Sequence, residues 1–425
     1  MPGPGHFLRR NRAKHGGTHA QQATCTHHSD SCSNDRNSKL VKGTIEMKKT
    51  LLATAIAGAM VYGATAAQAA TVYDQDGTQV DVYGRINMML NTGGTDREPT
   101  AKEIADNDYA AGDVVKQSGT EINNNGSRFG FRARNQVSSD LSVFANAEFR
   151  FDADTRANQT LQTRSTFVGL DSDSMGRVTV GNFLSVYYTA VGSVFDVPQY
   201  QTGPILGGYG AVNSQADSIA YSTPNLEGFQ AHVQAQHASG NDAAAGARDN
   251  SSALSWIGAV NYTWQDLYLG LAYAQNRNLG EDNDRGADYQ FNAGRNDQED
   301  LWGATASYQF TPEFAARVKY ETWTDNADYI QGDNDPSVDS RIDNVWGLGA
   351  TFNYGMGNIY GDYFRVRYVN DDLSSSNQWV LGATYRFSTP MFAYFEVYDA
   401  DFSSDQTFED FNDDLLYTVG LRYDF

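Results

Sequence analysis

The last segment of the chain, LLYTVGLRYDF from Leu415 to Phe425, alternates between two kinds of side chain. One edge is entirely apolar or aromatic and consists of Leu415, Tyr417, Val419, Leu421, Tyr423 and Phe425. The other edge is mostly polar and consists of Leu416, Thr418, Gly420, Arg422 and Asp424. A period of two residues predicts a β-strand with one apolar and one polar face. Such a strand needs either a protein core or lipid on its apolar side.

The same alternation recurs along the chain from residue 80 onward. Clear examples are VDVYGRINMML (80–90), DLSVFANAEFRF (140–151), LSWIGAVNYTW (254–264) and WVLGATYRF (379–387). The composition, with 25 Tyr, 22 Phe and 40 Gly against 9 Pro, also favours strands joined by tight turns. Alternation alone is compatible with a soluble lectin-like sandwich as well as with a membrane barrel.

The lengths of the connections between these strands separate the two architectures. Short connections are predicted at 137–140, 171–176, 223–228, 263–266, 311–313, 354–357 and 388–390, and they alternate with longer ones. Strict alternation places all long loops at one end of an antiparallel, up-and-down sheet. We therefore predict an all-β transmembrane barrel of about 16 strands, each of about nine to twelve residues, with short periplasmic turns and long external loops. Trp264, Phe310, Tyr354, Phe387 and Phe425 fall near the short turns, where an aromatic girdle is expected.

The first part of the chain differs from the rest. Only Thr50–Tyr62 is continuously apolar, and it is too short for a membrane-spanning helix. Residues 47–69 have a basic start (Lys48, Lys49), an apolar middle and an Ala67-Gln68-Ala69 end, which is typical of a secretory signal peptide. We therefore predict a non-structural leader at 1–46, arising from a misassigned start or a discarded extension, a signal peptide at 47–69 and the barrel at 70–425.

The composition of the predicted barrel restricts the classes of molecule that it could bind. Without residues 1–69, the chain keeps 22 of its 31 basic and 49 of its 52 acidic residues, a net charge of −27, which argues against nucleic acid as a partner. Both cysteines, Cys25 and Cys32, lie in the leader beside His27 and His28, but without the paired spacing of structural zinc sites. No metal site and no cofactor are predicted.

Several longer segments resemble a known family. They are VYDQDGTQVDVYGRI (72–86), SRFGFRARNQVSSDLSVFANAEFRF (127–151), TRSTFVGLDSDSMGRVTVGN (163–182) and the VGLRYDF end. Together they resemble the general diffusion porins of the Gram-negative outer membrane, the trimeric OmpF/OmpC/OmpU-like group. The resemblance implies a homotrimer of sixteen-stranded barrels that passes small hydrophilic solutes and ions, with the third external loop folded into each lumen. It also implies that the barrel assembly machinery recognises the terminal strand through Tyr417, Val419, Leu421, Tyr423 and Phe425.

The resemblance also implies a pore constriction. The basic positions of the family motifs fall on Arg85, Arg128 and Arg164, and alternation places each of them on a polar face. By the same resemblance, the loop at 184–216 is expected at the constricting position, and its FDVPQYQTG segment resembles the family's acidic segment, with Asp196 as the acid. Gln199 stands where the family often carries a second acid, so the expected transverse field is weak. A basic residue often found before the next strand is absent around 214–217.

Other basic residues are expected to contribute general charge to the lumen wall. They are Arg134, Arg150, Arg317, Lys319, Arg365, Arg367, Arg386 and Arg422. The net charge of −27 suggests a weak preference for cations. The acidic external loops are interpreted as solvated surface, with calcium binding or divalent bridging to lipopolysaccharide or another outer-membrane lipid as alternatives.

Two other functions remain open. One is a substrate-selective channel, for a sugar or an anion, with an aromatic track in its lumen. The other is an outer-membrane hydrolase, but residues 70–425 contain only His232 and His237 and no cysteine, so acyl-transfer chemistry is poorly supplied. We therefore predict a channel and no enzymatic activity.

Overall fold

A computed structural model describes residues 69–92, 120–156, 161–200, 203–204, 206, 214–238, 253–275, 300–324, 342–368, 375–399 and 415–425. The predicted leader, and the predicted signal peptide apart from Ala69, lie outside these residues. The strands are β1 Ala70–Gln75, β2 Thr78–Thr92, β3 Thr120–Asn124, β4 Arg128–Gln136, β5 Leu141–Arg150, β6 Gln162–Ser172, β7 Gly176–Leu184, β8 Ser214–Ser222, β9 Phe229–Ala238, β10 Ala253–Trp264, β11 Leu267–Ala274, β12 Leu301–Gln309, β13 Phe314–Trp323, β14 Ile342–Asn353, β15 Asn358–Tyr368, β16 Ser376–Ser388, β17 Met391–Asp399 and β18 Leu416–Asp424.

All strand pairs are antiparallel, and they close into a ring. From β4 to β18 each strand pairs with its neighbour in sequence, and β18 returns to pair with β2 from Tyr417–Thr92 to Asp424–Arg85. β3 and β4 pair with successive parts of one edge of β2, while β1 pairs with the start of β2. The segments therefore form a closed barrel of 16 crossing strands, as the sequence predicts.

The two faces of the wall follow the predicted alternation. In β18, Val419, Leu421 and Tyr423 are exposed on the outside, whereas Thr418 and Arg422 are buried on the inside. The other strands contribute an apolar outer band, as expected for a surface in lipid. Four of the five aromatic residues expected near the short turns are exposed there, namely Trp264, Phe310, Tyr354 and Phe387. The fifth, Phe425, is half-buried.

Several inward aromatic rings lie over glycines of the neighbouring strand. For example, a Cβ added at Gly130 would lie 2.7 Å from Cζ of Tyr83, its cross-strand partner. Such pairs fill the space that glycine leaves and help to fix strand register. The pairs are Tyr83–Gly130, Phe144–Gly169, Tyr360–Gly382 and Tyr394–Gly420.

The connection after β7 enters the barrel. The described part of this connection contains one short helix, α1 (Val186–Ala190), followed by a 3₁₀ turn at Gly192–Phe195. Ser185 caps α1, because its hydroxyl accepts a hydrogen bond from the Tyr188 backbone N–H. No helix in the described part of the chain is long and apolar enough to cross a membrane. We call the described residues 185–200, 203–204 and 206 the inner loop.

Candidate functional site

The inner loop packs on inward-facing residues of the barrel and forms an apolar core with them. Tyr187, Val191 and Phe195 of the loop are fully buried in this core. The wall contributes residues from β7 to β15, including Leu301 and Phe364. The Tyr268 hydroxyl donates a hydrogen bond of 2.9 Å to the carbonyl of Ala190, which fastens the end of α1 to β11. The loop is therefore held along the wall rather than across open solvent.

Glycines in the wall make this close approach possible. A Cβ at Gly270 would overlap the carbonyl oxygen of Ala190, and one at Gly303 would overlap the hydroxyl of Tyr187. At Gly347 a Cβ would lie 3.1 Å from the ring of Phe195. Inward glycines on β11, β12 and β14 thus provide the space into which the inner loop fits.

A buried ion pair beneath the loop adds polar attachment. Lys319 Nζ lies 2.6 Å from Glu321 Oε2 and also donates a hydrogen bond of 2.6 Å to the Pro204 carbonyl. Glu321 accepts hydrogen bonds from the Tyr187 hydroxyl at 3.1 Å and the Leu206 backbone N–H at 3.2 Å. Since removing one member leaves a buried charge without its partner, this pair is expected to fix the loop strongly.

The far part of the loop is attached to β17. Glu396 accepts hydrogen bonds from the backbone N–H groups of Gln199 and, at 3.0 Å, Tyr200. The side chain of Asn125, which lies between β3 and β4, donates to the Gln199 carbonyl at 2.9 Å. Arg422 Nη1 lies 3.3 Å from Gln199 Oε1, so the loop reaches the inner side of β18.

Arg85, Arg128 and Arg164 lie on β2, β4 and β6, away from most of the loop's described contacts, and we call them the arginine wall. Their side chains keep 19%, 20% and 21% of their surface exposed. By contrast, Arg317 and Lys319 under the loop keep 5% and 0%. The arginine wall therefore faces the water-accessible interior.

Two carboxylates partly neutralise the arginine wall. Glu148 Oε1 lies 3.5 Å from Arg128 Nε and 2.5 Å from Arg164 Nη1. Asp424 Oδ1 lies 3.8 Å from Arg85 Nε and 2.9 Å from Arg422 Nε. With Arg422 included, four guanidinium groups share two carboxylates, so this side of the interior is net positive.

A β-bulge brings Arg164 into this group. The pairing of β5 with β6 shifts between Glu148–Ser165 and Phe149–Thr163, which leaves Arg164 as the extra residue. A bulge re-aims the side chain of its extra residue. Here it directs Arg164 towards Glu148.

The comparisons with known proteins agree with this architecture. Residues 53–425 match the family described as Gram-negative porin. The chain belongs to this family. It is therefore a channel protein of the bacterial outer membrane, as the sequence predicts.

Two relatives of this porin match it over nearly their whole length. The monosaccharide porin of a Halomonas species is 29% identical over 391 residues, which cover 85% of this chain and 97% of the relative. Outer membrane porin F of Escherichia coli K12 is 23% identical over 406 residues, covering 89% and 100% of the two chains.

Solved structures show the same fold. OmpF of Salmonella typhi, in complex with daunomycin, matches with a TM-score of 0.58 at 17% identity, over 84% of this porin and 100% of that chain. The anion-selective porin from Comamonas acidovorans matches with a TM-score of 0.56 at 18% identity, over 82% and 100%.

The structure brings only part of the expected constriction together. Arg85, Arg128 and Arg164 share one side of the porin interior, and Gln199 contacts Arg422. The carboxylate of Asp196, by contrast, accepts a hydrogen bond from the Tyr188 hydroxyl of its own loop.

The partners of these residues could not be predicted from the sequence. Glu148 alternates with apolar residues in DLSVFANAEFRF, but its position between two arginines depends on the β5–β6 bulge. Glu396 follows a phenylalanine in the YFEVYD segment and carries no local signal for a loop contact. Such partners become visible only when strand register is known.

Two of the eight further basic residues assigned to the lumen wall face the other way. Tyr360, Asp362, Phe364 and Val366 are buried on the inward face of β15, so Arg365 and Arg367 lie outside, where they are exposed. The inward face is apolar here because Phe364 and Val366 pack in the loop core. The expectation that a charged residue must face the lumen was therefore wrong at these positions.

Proposed function

We propose that this porin is a passive, water-filled channel for small hydrophilic solutes and ions, which pass between the inner loop and the arginine wall. The observation that carries the proposal is the contrast in exposure between the two groups of basic residues. Charges beneath the loop are buried in ion pairs, whereas those of the arginine wall keep about a fifth of their surface accessible.

In this proposal Arg85, Arg128 and Arg164 line one side of the constriction, and Asp196 and Gln199 belong to the opposite side. Gln199 is neutral, and Asp196 is engaged by Tyr188, so the acidic side is weak. Charges on facing sides of a narrow pore orient polar solutes without binding them tightly. A weak acidic side predicts modest orientation and low selectivity.

The local charge also sets the expected sign of ion selectivity. Four guanidinium groups against two carboxylates favour anions near the arginine wall, whereas the acidic balance of the whole barrel favours cations. Because distant charges are screened beyond about 8 Å at physiological ionic strength, the local arginines dominate at high salt. We expect a mild anion preference at high salt that declines as salt is lowered.

Planar-bilayer recording in a salt gradient tests this proposal. The expected result is ohmic conductance in steps of three with a small reversal potential of anion-selective sign at high salt. A chain that inserts but does not conduct would contradict the channel, and a strongly cation-selective reversal potential at high salt would contradict the assigned constriction.

A sugar-selective channel is the second candidate. It is favoured by the relative named as a monosaccharide porin, which matches 85% of this chain. Liposome swelling across a series of sugars separates the two. Rates that fall smoothly with sugar size support the general channel, and saturation by one monosaccharide supports the selective one.

We also propose that three copies associate through the outer face of β4–β7. A shallow groove there is almost wholly apolar and is lined by Ala133, Val143, Ala145, Val168 and Val180. Val168→Trp, which fills this groove, should weaken the trimer in native mass spectrometry. Leu348→Trp, at an exposed outer position of β14, is the matched control and should leave it intact. If the two variants formed trimers to the same extent, the interface between copies would lie elsewhere.

The terminal strand is the proposed signal for the barrel assembly machinery. Its outward residues Tyr417, Val419, Leu421 and Tyr423, followed by Phe425, offer an apolar edge that an unfolded chain would expose. A chain lacking Phe425 should accumulate in the periplasm while still refolding into detergent micelles in vitro. Normal insertion in cells would exclude this role.

A further inference from the structure

Two inward arginines near the short-turn end of the barrel lie over aromatic rings of the wall. Cζ of Arg132 on β4 lies 4.0 Å from the centroid of the Tyr83 ring, and Cζ of Arg177 on β7 lies 3.9 Å from that of the Phe144 ring. Each ring in turn covers a glycine of the neighbouring strand. A guanidinium at this distance over a ring makes a cation–π contact. The two rings therefore hold the two cations along the wall of the lumen.

Neither of these guanidinium groups forms an ion pair with a described residue, although acidic residues lie on the neighbouring strands. Asp81, the cross-strand partner of Arg132, accepts hydrogen bonds from two other side chains instead. Asp171, the cross-strand partner of Arg177, lies 3.8 Å from Arg134 Nη2. The N–H donors of Arg132 and Arg177 are therefore not engaged by a described carboxylate and remain available to a solute.

The wall between the two arginines is aromatic. β5 and β6 separate β4 from β7, and they contribute Phe144 and Phe167, whose ring centroids lie 6.1 Å apart in an edge-to-face arrangement. Both residues are half-buried, so part of each ring faces the interior. The Phe167 ring in turn lies 6.2 Å from that of Phe183, which belongs to the core under the inner loop. A strip of aromatic surface therefore runs beside the two cations.

Strand register gives the size and the height of this region. Asn146 on β5 pairs with Arg132 on one side and Phe167 on the other, so the backbones of the latter two lie about 10 Å apart. This spacing is enough for a single six-membered ring that carries a carboxylate. Arg132 lies four residues beyond Arg128 towards the short turn at 137–140, which is about 14 Å along the strand and about 10 Å in height for a tilt of about 45°. The region therefore lies between the arginine wall and the short-turn end of the lumen.

We propose that two arginines and two phenylalanines of this region bind planar aromatic carboxylates as these pass through the channel. The four residues are Arg132, Arg177, Phe144 and Phe167. The carboxylate accepts parallel hydrogen bonds from a guanidinium, while the ring of the solute packs edge-to-face against the phenylalanines. Contacts with exposed groups are weak, so the solute is released, as throughput requires. The site lies inside the lumen and therefore rests on the proposed channel function.

The test compares two acids of equal charge and similar size, planar benzoate and non-planar cyclohexanecarboxylate, on the purified full-length porin in planar bilayers. Each acid is titrated at a fixed KCl concentration, and the measurement is the concentration at which it has half of its effect on single-channel conductance. In the wild type this concentration should be about threefold lower for benzoate, because contacts with exposed rings and cations are individually weak.

Two variants locate the site. Arg132→Lys/Arg177→Lys keeps both charges but lacks the planar parallel donors, so the difference between the two acids should disappear. Arg386→Lys makes the same exchange on β16, outside the proposed site, and should keep the difference.

Three results would overturn the proposal. They are equal half-effect concentrations of the two acids in the wild type, an unchanged difference in the double variant, which would assign recognition to the arginine wall, and the same loss in Arg386→Lys. If the double variant does not insert, Arg177→Lys alone should lose part of the difference, and full retention there would also contradict the site. Conductance in KCl without either acid reports separately on the proposed channel, so a chain that conducts but treats both acids alike contradicts the binding site alone.

Discussion

Phe425 and Gly84 meet at the seam that closes the barrel. The backbone N–H of Gly84 donates to the carbonyl of Phe425 at 2.8 Å, and that of Phe425 donates back at 2.9 Å. A Cβ at Gly84 would lie 2.5 Å from Cζ of Phe425 and 2.7 Å from the Arg128 carbonyl oxygen. The terminal ring therefore covers a glycine, and the final residue completes the ladder between β18 and β2.

Gly84→Ala should destabilise the closed barrel, because the added methyl group displaces the Phe425 ring or separates β2 from β4. Overpacking of this kind costs about 1–3 kcal/mol. The measurement is the urea concentration at which half of the lipid-embedded protein has unfolded, read from the band of folded protein on a gel. Gly258→Ala is the matched control, since a Cβ there meets nothing within 4 Å. Equal midpoints for the two variants would show that the seam tolerates the methyl group.

Gly303→Ala should push the inner loop away from the wall, because its methyl group would occupy the place of the Tyr187 hydroxyl. The displaced loop narrows the passage towards the arginine wall, so single-channel conductance should fall. Gly361→Ala serves as the control, because the added Cβ would lie no closer than 3.4 Å to its neighbours. An unchanged conductance in Gly303→Ala would mean that the loop position does not limit flow.

Asp140 should make the short-turn end sensitive to acid. The Ser174 and Ser172 hydroxyls donate hydrogen bonds to this carboxyl and lower its pKa below the usual value. The hydrogen bond from Ser174 has the larger effect. A lowered folded-state pKa contributes stability that is present above the unfolded value of about 3.9 and is lost as pH falls through the folded value. Asp140→Asn should therefore lower the unfolding midpoint at neutral pH and lose this effect once the pH has fallen below the folded-state pKa of Asp140. Asp266→Asn, in another short turn, is the control.

The outer surface could be predicted from sequence because two solvents impose the alternation. In β18, lipid on one side and water on the other select the type of residue along the strand, so the sequence predicts the outward position of Val419 and Leu421. β18 pairs with β2 because an open strand edge in lipid would leave backbone groups without hydrogen-bond partners.

The prediction of which residues face the lumen failed where the inner loop, rather than water, covers the inside of the barrel wall. The inner loop makes the inward face of β15 apolar at Phe364 and Val366, so charge no longer marks the water side there. The partners of the arginines were also beyond reach, because the position of Glu148 depends on a bulge and that of Asp424 on register. Faces follow from a local pattern, whereas contacts between strands require three-dimensional pairing.

Charge changes on the arginine wall should shift ion selectivity in opposite directions. Replacing Arg85, Arg128 and Arg164 together by Gln should move the reversal potential towards cations, whereas Glu148→Gln should move it towards anions. A unit charge about 4 Å from an ion in water contributes about 1 kcal/mol, or up to about fivefold in local concentration. Arg365→Gln, on the outer surface, is the control and should leave the reversal potential unchanged. Shifts of the same sign in the two inner variants would mean that these residues do not line the narrowest point.

Glu396→Gln should release the far part of the inner loop. The carboxylate accepts from the backbone N–H groups of Gln199 and Tyr200 and from the Tyr360 hydroxyl, and an amide cannot satisfy all three donors. Hydrogen bonds to a charged group are each worth about 1.5–3 kcal/mol, so the attached segment should open more often. Faster hydrogen exchange at residues 196–200 and noisier open-channel current are the expected readouts. Glu313→Gln, in an exposed turn, controls for the loss of charge, and unchanged exchange in Glu396→Gln would show that the apolar core alone holds the loop.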